Sequence, residues 1–437
     1  MDLAVARDKG FWKAGHWPTL FTSLIYFDFC FAVWVLNGAM APFISKEFGL
    51  DAAEKGFMIS VPVIVGALMR FPLGLLAQYI GRKNAAQVEM GMIVVGLGLG
   101  WLFVESMAGV LAMGCVLGVA GASFGVALSL GSGWYPPKYK GLAMGIAGAG
   151  NSGAVLAVLL APPLASVYGW KAVYGLAIIP IVLAMALLAM FAKEPPDREH
   201  KSLRDHLKIL FDRDAWIFNL MYALTFGGYI GLTSFLPTLF HDQYGVAKEN
   251  VGQYAAGIIV MASILRLVGG GLADRIGGLR MIKWLAVISV IGTAMAAYLV
   301  YAKDGPLSSP WVMVAVMVVL FSALGAGNGA VFQLLPLRFK GNTAVAGSLV
   351  GEIGGLAGGF LPNAMGVGSK YSGMGFTPGF LAGTALSICI LVALAMVMKK
   401  WTTTWVGEGG RALPDATPPA EPAAPAQSRM QMVGSGT

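Results

Sequence analysis

Two arginines stand where charge is expensive. Arg70 and Arg266 fall inside long apolar runs of a 437-residue chain. Each lies 11 residues before a glycine, Gly81 or Gly277, at which its run ends. That is roughly 16 Å along a helix, or about half of a ~30 Å hydrocarbon core. An arginine at that depth costs at least about 2.5–3.5 kcal/mol, so it must face the interior and find a partner. Guanidinium is planar, permanently charged and forked, and it fits a planar oxyanion with paired hydrogen bonds. One such residue is equally compatible with a structural ion pair. Two at equivalent positions point to one shared site for a small anion.

Other residues could complete that site. Asn151 is an amide inside an apolar run, able to donate to an anion and to discriminate its shape. Its plainer alternative is an interhelical hydrogen bond. Phe31, Phe124, Tyr222 and Phe226 could wall a dry pocket, where low polarity strengthens the arginine–anion attraction, or could simply pack. Three acids lie in apolar runs. Asp28 and Glu352 are candidates to carry a coupling proton or to act as counter-ions. Glu89, nearer a helix end, is the weaker third. None of the four histidines, His16, His200, His206 and His241, lies at mid-run, which argues against a histidine relay. No metal-ligand cluster, phosphate-binding loop or nucleophile elbow is present in the pattern. The chain is therefore expected to need no metal or cofactor and not to be an enzyme.

The elements that must hold these residues are membrane helices. The chain is 57% hydrophobic and only 12% charged, far from the composition of a soluble domain. Twelve apolar runs, from Thr19–Met40 to Thr377–Met398, are each long enough to cross a bilayer. Their expected grouping is a six-helix bundle over 1–192, a cytoplasmic linker over 193–214, a second six-helix bundle over 215–400, and a disordered cytoplasmic tail over 401–437. The net charge of +8 suggests nucleic acid at first sight, but its distribution does not. Only Lys46, Lys55, Lys171, Lys248, Lys303 and Lys370 fall in the loops opposite the termini. Apart from Arg70 and Arg266, the other basic residues lie on the side of the termini. This asymmetry predicts both termini in the cytoplasm of a multi-pass inner-membrane protein, with the lipid bilayer and no nucleic acid as partner. A monomer is expected. Cys30, Cys115 and Cys389 all lie in apolar runs, against a disulfide framework.

The two halves repeat. Arg70, Gly74, Ala77, Ile80 and Gly81 recur 196 residues later as Arg266, Gly270, Ala273, Ile276 and Gly277. Pro136, Lys138, Lys140 and Gly141 correspond to Pro336, Arg338, Lys340 and Gly341. Gly150, Asn151 and Gly153 correspond to Gly351, Glu352 and Gly354. Parallel six-helix repeats place a substrate site at the midplane between them. The fold expected is all-α, with twelve transmembrane helices in two six-helix pseudo-repeats. Glycines at three- and four-residue spacing in runs five and eleven let those helices approach closely.

Gly74 to Lys83 resembles the loop motif of the major facilitator superfamily, Gly-x-x-x-Asp-Arg-x-Gly-Arg-Arg/Lys. Gln78 and Tyr79 replace Asp-Arg in the first copy, and Gly278 replaces an Arg in the second. Within that superfamily the chain resembles the nitrate/nitrite porters of the NarK type. The residues carrying this are Ala147-Gly148-Ala149-Gly150-Asn151-Ser152-Gly153 and the glycine-rich Gly351–Pro362. The resemblance implies that Arg70 and Arg266 clamp the anion and that Asn151 and Tyr222 orient it. Phe31, Phe124 and Phe226 match the aromatic walls, and Gly148, Gly150 and Gly354 join the substrate-binding set. Glu352 departs from the small residue expected there. The function implied is transport of nitrate, and of nitrite, by alternating access. The buried acids tilt the expectation to nitrate/proton symport. Nitrate/nitrite antiport is the alternative, followed by a small-carboxylate exchanger or an anion channel.

Overall fold

The computed structural model describes residues 10–196, 209–303, 305–339 and 343–413. Twelve long helices dominate them. The first half holds α1 (Trp17–Phe48), α2 (Ala52–Ile80), α3 (Arg82–Phe103), α4 (Met107–Ser132), α5 (Tyr139–Tyr168) and α6 (Trp170–Phe191). The second holds α7 (Arg213–Tyr244), α8 (Lys248–Ile276), α9 (Gly278–Tyr301), α10 (Pro310–Arg338), α11 (Thr343–Ser372) and α12 (Thr377–Thr404). With no water in a bilayer core, such helices satisfy their backbone internally. Their outward faces carry exposed Leu99, Trp101, Leu102, Ile179, Leu183, Ile388, Val392 and Met396, a surface suited to lipid.

Local chemistry sets the ends. Asp51 caps α2 in a reciprocal capping box with Glu54, satisfying backbone N–H groups that a helix start leaves free. At the other end of α2, Gly81 takes φ 91°, and Gly277 takes φ 96° after α8. Only glycine adopts such values at no steric cost. The repeat read in sequence is thus a repeat of backbone geometry.

Several helices are interrupted near their middles. α1 breaks at Val35 and α4 at Gly121 and Ala122. α5 tightens into a 3₁₀ turn over Ala149–Ser152. α7 widens into a π turn over Ala223–Gly227. Such turns re-aim side chains and often mark functional sites.

The two halves meet along α2 and α11, and α5 and α8. On the face away from the termini the packing is close and polar. Lys55 pairs with Asp242 at 2.5 Å and Lys370 with Asp51 at 2.7 Å. The Asn363 backbone N–H donates to Ser60 Oγ at 2.9 Å. A Cβ on Gly252 of α8 would come within 1.8 Å of the Val158 carbonyl of α5. Toward the face of the termini the same two helices diverge. A Cβ on Gly148 would stand 3.7 Å from the Arg266 guanidinium, whereas Gly145 and Gly141 meet nothing within 4 Å. Among the described residues, α5 and α8 are thus in close contact at the distal face and spread apart toward the terminal one.

Two expected boundaries need correction. α12 runs on to Thr404, and residues 405–410 pack back on the protein, so the tail expected from 401 begins as structure. Trp401 and Val406 are fully buried, and the Gly409 carbonyl lies against Gly277. The apolar Trp401, Trp405 and Val406 anchor this stretch despite the Pro- and Ala-rich sequence beyond it. Likewise α7 begins at Arg213, inside the expected linker. The remainder of the linker expectation, with His200 and His206, and of the tail falls largely on 197–208 and 414–437, outside the described residues.

Candidate functional site

Arg70 projects from α2 and Arg266 from α8, one from each half. They are 5% and 9% exposed. Arg70 is held by backbone carbonyls. Its Nε donates to Gly121 O at 3.3 Å, an acceptor that the break in α4 makes available. Its Nη1 donates across the interface to Gly351 O of α11 at 2.5 Å. Its Nη2 has no partner, and neither does Nη1 of Arg266. Each guanidinium therefore keeps a buried donor that a ligand or water can satisfy.

Phe124 lies between them. The Cζ of Arg70 is 5.2 Å from its ring centroid and that of Arg266 is 5.4 Å away. Arg70 also stands 4.9 Å from the Phe226 ring and 5.6 Å from Trp34. These are cation–π distances, favourable where water is excluded. Tyr222 stacks on Phe226 at 5.1 Å with planes 9° apart, and its buried hydroxyl makes no short hydrogen bond and lies beside the Arg266 guanidinium. The π turn that starts just after Tyr222 sets the relative placement of these two rings.

The glycines matter by what they do not carry. A Cβ at Gly351 would press on Arg70 Nη1 at 3.1 Å, and one at Gly354 on the Tyr222 ring at 2.5 Å. On α5, a Cβ at Gly150 would strike Phe27 and the Asp28 backbone, and one at Gly153 would come within 1.7 Å of Asp28 O. So the glycine-rich stretches bring α5 onto α1, and α11 onto α2 and α7. That closeness puts the arginines and Tyr222 in one layer.

Asn151 occupies the 3₁₀ turn of α5, 1% exposed. In the orientation that satisfies its amide, the nitrogen donates to Gly148 O and Ala149 O at 3.2 Å each. Its backbone carbonyl accepts from Tyr229 Oη of α7 at 3.1 Å. Asn151 thus ties the turn together and joins the halves.

Not every expected residue reaches the centre. Phe31 contacts Phe27, Trp34 and Tyr229, one layer behind the ring that touches Arg70. Asp28 accepts from Ser152 Oγ at 2.6 Å, between α1 and α5. Glu352 follows Gly351, the Arg70 acceptor, lies within electrostatic reach of that guanidinium, and has a buried, unpartnered Oε1. Glu89, the weaker third acid in the sequence, is fully buried and accepts a hydrogen bond from Tyr26.

Two further aromatic residues line this layer without a mark in the sequence. Trp34 is fixed by its Nε1 donating to Pro62 O at 2.7 Å. Phe332 of α10 touches Tyr222 at 5.4 Å and Phe124 at 6.1 Å. An aromatic in an apolar helix has no pattern that separates wall from core.

Comparison with known proteins identifies the family and the fold. The model of the Major Facilitator Superfamily matches residues 22–362. The nitrite extrusion protein of Bacillus subtilis (strain 168) is 28% identical over 365 residues, 83% of this chain and 89% of that protein. The probable nitrate/nitrite antiporter NarK1 of Thermus thermophilus is 29% identical, covering 81% and 86%. The probable nitrate transporter NarT of Staphylococcus carnosus (strain TM300) is 31% identical, covering 76% and 83%. Among solved structures, a bacterial homologue of the human lysosomal transporter Spinster, in an inward-facing and unoccupied conformation, shares the fold. Its TM-score is 0.67 at 19% identity, covering 89% of this chain and 97% of that one.

Proposed function

The chain belongs to the Major Facilitator Superfamily and, within it, to the nitrate/nitrite porters, and from that premise we propose that it carries nitrate, and nitrite second, by alternating access. The observation that carries this reading is the pair of buried guanidiniums, one from each half, each with a free N–H and both against Phe124. A planar oxyanion accepts from both at once. It neutralises part of their repulsion and draws the halves together, so its binding energy favours closure. Tyr222 adds a neutral donor from the C-terminal half. Asn151 positions the narrow turn of α5 beside Arg266.

Both termini are read as cytoplasmic from the basic loops, and the end at which α5 and α8 spread apart then faces the cytoplasm of an inner-membrane protein. Uptake of a monovalent anion works against the membrane potential by about 2.3 kcal/mol per 100 mV. Proton symport cancels that charge, and Asp28 and Glu352 are the groups proposed to carry the proton. The second reading is electroneutral exchange of nitrate for nitrite, favoured by the relatives whose names specify an antiporter and nitrite extrusion.

One experiment addresses both. Uptake of labelled nitrate is measured in proteoliposomes, with a pH gradient and with internal nitrite, for the wild type and for Asp28→Asn with Glu352→Gln. The symport reading expects gradient-driven uptake that the double substitution abolishes. Uptake that needs internal nitrite and ignores the gradient supports exchange. Absence of nitrate uptake in every condition refutes the substrate.

A further inference from the structure

The repeat gives the two halves unequal chemistry. Where the first half carries Asn151, the second carries Glu352, a group that accepts hydrogen bonds when ionised. The second half does have a buried amide, on a different helix. Asn328 of α10 is fully buried, and both its Nδ2 and its Oδ1 lack a partner. Natural proteins pair almost every buried polar atom, so an amide orphaned at both ends is waiting for something.

Its neighbours say what. Asn328 lies one helical turn before Phe332, on the same face, and that ring touches Tyr222 and Phe124. On either side α10 is pressed onto the elements that carry the site. A Cβ on Gly327 would meet Thr225 of the π turn at 2.5 Å, and one on Gly329 would meet the Arg266 carbonyl at 2.7 Å. Thr225 Oγ1 is also unpartnered, and Tyr222 Oη and Arg266 Nη1, beside each other, make no short hydrogen bond.

We propose that Asn328 is a specificity-determining residue of the anion site, with Nδ2 donating to the bound oxyanion and Oδ1 holding a water that enters with it. Donors and acceptor together need two occupants. Arginines, tyrosine and Nδ2 are donors, and a bare oxyanion accepts from all of them. Oδ1 is an acceptor, which such an anion cannot satisfy but a water can. Selection between three-oxygen and two-oxygen anions follows, because the smaller one leaves more room for water. This inference rests on the nitrate/nitrite reading above.

The test is uptake of labelled nitrate in proteoliposomes, with nitrite as competitor, for wild type, Asn328→Leu and Asn328→Asp. Leucine keeps the branched shape and removes the orphaned polar atoms, so a purely structural Asn328 predicts a melting temperature that is not lowered and unchanged transport. The proposal expects that same melting temperature with a nitrate KM raised about tenfold and an altered nitrate-to-nitrite preference. The aspartate variant, of nearly the same shape, decides the matter if the leucine protein fails to fold. Its nitrate KM should rise at about pH 7.5 and return toward the wild-type value near about pH 5.5, as the added carboxylate is neutralised. Folded variants with wild-type KM and preference at every pH overturn the proposal while leaving nitrate as substrate. A wild type that transports neither anion overturns both.

Discussion

Replacing Arg70 with lysine keeps the charge and removes the fork. The structure assigns the three nitrogens of Arg70 separate tasks: Nε to Gly121 O, Nη1 to Gly351 O, and Nη2 free. A lysine ammonium is a single centre at the end of a flexible stem. Two carbonyls and the anion then compete for it, and the geometry that aims a donor at the ligand is gone. A hydrogen bond to a charged group is worth about 1.5–3 kcal/mol. Losing the one to the anion weakens binding by about tenfold to about 150-fold. The Gly351 bond also crosses between the halves, so its loss loosens the interface at the layer where they must close. The assay is nitrate affinity of purified Arg70→Lys by calorimetry, paired with uptake in proteoliposomes and a melting curve to establish folding. A folded Arg70→Lys protein binding nitrate within about twofold of wild type would falsify the fork argument and return Arg70 to a structural role.

Three further outcomes follow from the packing. Gly153→Ala places a Cβ 1.7 Å from Asp28 O, and such overpacking costs about 1–3 kcal/mol; its melting temperature should fall, whereas Gly125→Ala, with nothing within 4 Å, should melt like wild type. Asp242→Asn strips Lys55 of its ion-pair partner, leaving a largely buried cation unpaired. It should shift the carrier toward the state open at the distal face, read as faster labelling of a cysteine introduced there. Trp34→Phe removes the bond to Pro62 O but keeps a ring beside Arg70. A stability loss of about 0.5–1.5 kcal/mol with nitrate affinity nearly intact is expected, measured by melting and calorimetry.

Legibility in the sequence tracked cost. Arg70 and Arg266 were conspicuous because a charge in an apolar helix is expensive anywhere but a site, and the glycine runs because close approach has a spacing. Gly81 and Gly277 revealed the repeat for the same reason, since their positive φ admits little else. The aromatic walls were half legible: Phe124 and Phe226 reach Arg70, Phe31 sits one layer back, and Trp34 and Phe332 were overlooked. Apolar rings cost nothing in an apolar helix, so only the fold sorts them. Asn328 is a different omission. An amide within the run Trp311–Leu335 carried the same signal as Asn151 and lacked only a family motif to draw the eye. The turns in α4, α5 and α7 left no readable mark, because they arise from how neighbouring helices load each backbone.

The ring of Phe124 bears on a step that involves no cargo. A carrier that has delivered its anion must either return empty or wait for another. During an empty return two like charges remain confined together, and the electron-rich face of an aromatic ring is what a confined cation prefers to face. Phe124, against both guanidiniums, is a standing substitute for the missing negative charge. On the proposed anion-carrier reading, its strength as a substitute would govern idling: a good one would let the vacant protein cycle, as a symporter must, and a poor one would lock it until a counter-anion arrives, as strict exchange demands.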